Sequence, residues 1–219
     1  MNHNQPETPE RNAASPMWWT PQRTKVASLC GLIGGLGGLG VAGSMIGPTG
    51  IGTDPGIVNL FYPLSHVLLA VPLFAANAWY SSSYGRSGRS IAVLLALSLV
   101  GYAGFTIMIS IVGPALLGNL LLPIGALTGT AYISIRLFGS IYGVYLWWQA
   151  NGQPSANRLT AGLFIILLPA IFVLGLLTQF GFPGWLINAP FGLAFVALSY
   201  DLWTVSSDTS VREIRRSGS

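Results

Sequence analysis

Charge is what this sequence has least of. Only 7% of its 219 residues are Asp, Glu, Lys or Arg, while 52% are hydrophobic; a soluble domain carries about 25% charged residues. A soluble chain so poor in charge could not cover its own surface with polar groups. The excess apolar surface needs lipid, and a mean hydropathy of +0.61 agrees. Cysteine occurs once, as Cys30 inside an apolar run, which excludes an intrachain disulfide, a paired-thiol oxidoreductase and a cysteine-based metal site. Lysine also occurs once, as Lys25 outside the apolar runs, so no span offers the amine of a retinal Schiff base. His3 lies in the polar N-terminal stretch and leaves His66 as the one histidine in an apolar run. Bis-histidine haem and histidine-rich metal centres need more than that. The absence of any mid-span carboxylate removes proton relays and intramembrane aspartyl proteases. No glycosyl- or phosphotransferase signature is present. The sequence thus points to no catalytic residue, no metal site and no cofactor, and leaves an enzyme without support.

The formal net charge of +4 does not indicate nucleic acid. No basic stripe is interleaved with aromatics, and the positive residues sit beside apolar segments, where they act as an orientation signal.

What the chain does have is long apolar runs. A helix needs about 20 apolar residues to cross roughly 30 Å of hydrocarbon. The runs 26–46, 57–80, 91–112, 159–180 and 185–203 qualify. The stretch 114–148 is too long for one crossing and too short for two plus a turn, so a span is assigned to 124–148. Residues 114–123 then form a short apolar segment at the outer surface, re-entrant or lying along it. The first run begins too late and is too long for a cleaved signal peptide. The expected protein is all-α: a six-helix transmembrane domain over 26–205, after a disordered polar tail (1–25) and before a polar basic tail (206–219).

Loop charge supports the count. Arg11, Arg23 and Lys25 precede the first span, Arg86 and Arg89 follow the second, Arg158 follows the fourth, and Arg212, Arg215 and Arg216 follow the sixth. The intervening loops contain no positive residue. Under the positive-inside rule, this alternation puts both termini in the cytoplasm and the chain in the cell membrane. All seven tryptophans (18, 19, 79, 147, 148, 185 and 203) fall near a predicted interface, where amphipathic rings are favoured.

Two short motifs are false leads. Residues 35–40 match G-x-G-x-x-G, but that fingerprint works only after a strand and at the opening of a helix. Inside a span, Gly31/Gly35 and Gly34/Gly38 are pairs that let a neighbouring backbone approach, as are Gly139 and Gly143 in the fourth span. Residues 85–88 match the G-x-S-G of rhomboid-type intramembrane proteases, yet Ser87 sits in a basic loop, far from the only plausible histidine. Asp54, with prolines and glycines around it, suits a turn better than a cation site.

The strongest functional pointer is Arg136, a charge in the middle of the fourth span, because a charge at that depth is costly and normally faces protein or water. At helical spacing it shares a face with Gly125, Gly129, Tyr132, Ser140 and Gly143. The second span carries a comparable stripe of Asn59, Tyr62, His66 and Asn77. Counted from the outer ends, His66 lies about 9 residues deep and Arg136 about 12, a difference of roughly 5 Å at helical rise. The expectation is that these stripes face one another and line a polar cleft. That cleft suggests a small transporter or channel-like protein for an anionic or neutral solute. The alternative is a non-catalytic scaffold or subunit of a membrane complex, associating with other membrane proteins or with itself through its glycine-rich helices. Pro72, Pro169 and Pro190 are expected to kink their spans.

Overall fold

The computed structural model describes residues 19–44, 55–79, 81–112, 118–150, 158–182 and 184–217. It is almost entirely helical, with no strand among the described residues. In hydrocarbon, backbone N–H and C=O groups must bond within the protein, so apolar runs become helices. The elements are α1 (Pro21–Ser44), α2 (Pro55–Trp79), α3 (Ser81–Val112), a 3-10 turn (Gly118–Leu120), α4 (Leu121–Ala150), α5 (Arg158–Ile165), α6 (Leu167–Thr178), a second 3-10 turn (Gly184–Asn188) and α7 (Ala189–Ser217). Among the described residues, four helices are long and apolar enough to cross a membrane, or five if α5 and α6 form one bent span. The disordered tail and the surface turn containing Asp54 fall largely or wholly outside the described residues.

Proline marks several helix starts, while Pro63 and Pro72 lie inside α2, which runs on past both. Pro21 and Pro55 are first residues, and Pro123 and Pro190 lie in first turns, where the missing N–H has no helical acceptor to lose. At α1 the start is also capped, because the Arg23 N–H donates to Thr20 Oγ1 at 3.3 Å. Pro190 therefore opens α7 rather than kinking a span, a correction to the sequence expectation.

Apart from the bent pair α5 and α6, successive helices run antiparallel. The indole N–H of Trp79 at the end of α2 donates to Thr24 Oγ1 at the start of α1. Tyr62 on α2 meets Tyr102 on α3 (centroids 6.3 Å), and Tyr102 meets Tyr132 on α4 (5.8 Å). Thr160 on α5 donates to Asp201 on α7 at 2.6 Å, and Lys25 Nζ lies 5.6 Å from the Trp203 ring centroid, bringing α7 back beside α1. One end of the bundle consequently gathers Arg23, Lys25, Arg86, Arg89 and Arg158.

The sequence expects one continuous span over 159–180, but the chain bends by 54° between α5 and α6. Pro169 supplies the reason. It has no N–H to give the Ile165 carbonyl four residues back. Ser140 on α4 closes the gap: its Oγ donates to Ile165 O and accepts from Leu168 N, both at 2.9 Å. A neighbouring hydroxyl satisfying freed backbone groups is how such a break survives at membrane depth. The hydroxyl can reach because glycines flank it. A Cβ at Gly139 would stand 2.6 Å from Leu167 Cδ1, and one at Gly143 would stand 2.7 Å from Phe164 Cβ and 2.8 Å from Ala161 O.

Two further boundaries differ from the sequence reading. Residues 81–89, the basic loop expected around Ser87, are helical on either side of a break at Gly85 (φ 58°). Only a residue without Cβ adopts that left-handed backbone freely. Just beyond it, Gly88 leaves room for the Tyr145 ring. At the other end of the chain, α7 continues to Ser217, so the basic C-terminal stretch is helical for most of its length.

Candidate functional site

The buried arginine and the buried histidine both lie in the half of the bundle away from its basic end. Towards the basic end, Leu69, Leu73, Leu95, Leu99, Phe164, Phe195 and Leu198 form a buried apolar core. Above it, the α2 and α4 stripes converge. Arg136 is 2% exposed and His66 4%. Arg136 Nη2 donates to Asn188 Oδ1 at 2.6 Å and to the Tyr132 hydroxyl at 3.3 Å, and that hydroxyl donates to the same Asn188 oxygen at 3.3 Å. The guanidinium carbon lies 4.5 Å from the Phe191 ring centroid and 5.1 Å from that of Tyr132. Cation–π contacts of this kind contribute about 0.5–2 kcal/mol, most when desolvated.

Helical spacing builds the triangle. Tyr132 and Arg136 are one turn apart on α4, so their side chains overlap on one face. Asn188 ends the 3-10 turn before α7, and Phe191 follows in the first turn of α7. Within this arrangement Arg136 Nε is buried without a hydrogen-bond partner. Among the described residues no carboxylate pairs with the guanidinium. A buried donor left unmade costs about 1–3 kcal/mol, and more on a charged group.

His66 completes the other side. Its Nδ1 lies 3.0 Å from the Tyr62 carbonyl; a carbonyl can only accept, so Nδ1 carries the proton. The ring stacks on Phe191 (5.7 Å, 24°) and packs against Tyr62 (4.9 Å) and Tyr102 (4.8 Å). Phe191 thus lies between His66 and Arg136. A narrow cleft beside them, lined by Tyr62, Ser65, His66 and Asn188 with Gly34 and Gly35 of α1, offers about 10 Å³ to the centre of a water molecule. That is room for about one water.

Of the residues singled out in the sequence, Tyr62, His66, Tyr132 and Arg136 come together. The surroundings of Asn59 and Gly38 lie outside the described residues. Asn77, assigned to the same stripe, sits two turns or more from the cluster, and its Oδ1 is buried without a partner. Gly125 and Gly129, expected on the inward seam with Arg136, are exposed, and a Cβ added at either meets nothing within 4 Å. The seam holds from Tyr132 to Gly143 but not beyond, because among the described residues nothing packs against Gly125 and Gly129 at the N-terminal end of α4. Asp201 accepts from Thr160, and Ser87 is exposed at the basic end of the bundle.

Sequence reasoning missed Tyr102, Asn188 and Phe191. Asn188 offered a signal, as an amide inside an apolar stretch two residues before a proline. Tyr102 and Phe191 offered none, since an aromatic residue in a span is ordinary core.

Nothing in the donor set suits a metal: among the described residues no three His, Cys, Asp or Glu side chains gather. The chemistry present is a fixed cation, three phenols, an amide and an imidazole, a set that recognises and orients. Comparison with protein-family models, curated proteins and solved structures gave no match to this chain.

Proposed function

We propose that this chain is a multi-pass integral protein of the cell membrane, crossing six times with both ends cytoplasmic, and that its Arg136 centre receives a small anionic or neutral solute in a transport or channel-like role. Six crossings follow if α1 and the bent pair α5–α6 each span, and the cytoplasmic ends follow from the collection of arginines at one end of the bundle. In this reading Gly31, Gly34, Gly35, Gly139 and Gly143 serve close helix packing.

The observation that carries the solute reading is Arg136: a buried cation, held by an amide and a phenol, with a donor atom still unused. An isolated buried charge of this kind favours an anion by Coulomb attraction in a medium of low dielectric. Tyr62, Tyr102 and Asn188 add neutral hydrogen-bonding groups. The water-sized cleft corresponds to a closed state, and solute access requires the outer parts of α4 and α7 to separate.

The cleft's small size is also the observation that favours the second reading, a non-catalytic scaffold or subunit in which Arg136 ties α4 to the start of α7. Flux separates the two. Purified protein in phosphatidylcholine vesicles should pass one or more of chloride, nitrate, acetate and phosphate. Arg136→Leu should abolish that flux with the protein still folded and inserted, and Arg136→Lys should keep part of it. If the wild type passes none of these and none raises its melting temperature, while a second membrane protein co-purifies in fixed proportion, the scaffold reading replaces the solute reading.

A further inference from the structure

A groove of about 510 Å³ opens on the outside of the bundle at the base of α1. Trp19, Gln22 and Arg23 form its mouth, and Val26 and Ala27 of α1 with Val71 of α2 form its floor. The order follows from the helix: residues 26–27 lie about one turn, roughly 5 Å, deeper than 22–23. From Val26 an exposed apolar file continues through Leu29, Ile33 and Leu36, spaced three or four residues apart and therefore on one side of α1. A polar, tryptophan-bearing mouth at interface level, followed by an apolar track into hydrocarbon depth, has the outline of a phospholipid, head group first and acyl chain after.

The sign of the head group follows from the charge at this end. Arg23 stands in the mouth, and Arg86, Arg89 and Arg158 are exposed at the same end of the bundle. Basic pockets between helices on the cytoplasmic side of a membrane suit anionic head groups. We propose that this groove binds an anionic phospholipid of the inner leaflet, with its phosphate beside Arg23 and Gln22, Trp19 at the head-group level, and one acyl chain running past Val71 along Val26, Leu29, Ile33 and Leu36. The inference rests on the cytoplasmic placement of the basic end and not on the solute reading.

Native mass spectrometry of the full chain, released from vesicles of equal phosphatidylglycerol and phosphatidylcholine, tests it. The wild type should retain one phosphatidylglycerol in preference to phosphatidylcholine. Arg23→Gln should lower that retention about fivefold, the effect of one interfacial charge. Arg23→Lys should keep most of it, separating loss of charge from loss of fold. Arg158→Gln, at the same end but outside the groove, and Arg136→Leu, at the solute site, should leave it unchanged. Equal retention of the two lipids, an equal loss in Arg158→Gln, or a lipid-free dimer of the chain would overturn the proposal.

Discussion

Glycines recur at four-residue spacing in α1 and again in α4, and the fold treats the two runs differently. On α1, a Cβ at Gly34 would stand 2.8 Å from the Ser65 carbonyl oxygen on α2, and one at Gly35 would stand 2.9 Å from the Gly192 carbonyl oxygen on α7. Both obstacles are backbone, which cannot step aside by a rotamer change. At the outer end of α4, Gly125 and Gly129 have the same spacing and open space beside them. The neighbouring Leu122 is 85% exposed. The spacing therefore permits close approach without compelling it. A small-xxx-small pair becomes a contact only where another helix is delivered to it, here α2 and α7 by the antiparallel returns of the chain.

Substitutions can break this comparison. Gly34→Leu or Gly35→Leu should have the largest effect, exceeding the roughly 1–3 kcal/mol of ordinary overpacking because main chain must move; loss of the monodisperse peak after detergent extraction would report it. Asn188→Leu comes next. It removes the acceptor at 2.6 Å from Arg136 and leaves a buried charge poorly satisfied, a loss of about 3 kcal/mol readable as a lower denaturation midpoint in detergent. Ser140→Ala should cost about 1–3 kcal/mol by orphaning Ile165 O and Leu168 N, and adding Pro169→Ala should restore part of that, since the restored N–H can reach the Ile165 carbonyl. Gly129→Ala should have the smallest effect and the opposite sign, a gain of about 0.5–1 kcal/mol from reduced backbone freedom in an unobstructed helix. If Gly129→Ala destabilised the protein as much as a substitution at Gly34, the contrast between the two runs would fail.

Much of the helical layout was legible in the sequence. Apolar length and the placement of proline decide where helices can begin and run, and both are local properties. The facing of Tyr62 and His66 towards Tyr132 and Arg136 was legible too, because a shared depth and a shared helical face are arithmetic on residue numbers. The rest of the cluster was not. Asn188 and Phe191 reach Arg136 only because α7 starts beside α4, more than fifty residues along the chain, and Tyr102 joins because α3 passes between α2 and α4. The break at Ile166 was half legible. Pro169 signalled a kink, but nothing local to residues 159–180 indicated that Ser140 would bond the freed groups and so permit a 54° bend.

Composition and periodicity alone determined that this chain is helical, apolar enough for a membrane, and burdened with one costly charge at mid-span, because each follows from what a segment can satisfy by itself. Only the tertiary structure decided which glycines are contacts, what holds the broken helix together, and that Arg136 is closed in by Asn188, Tyr132 and Phe191. Those outcomes depend on which other segment comes to rest alongside, and in a bundle that is settled by the packing of the whole.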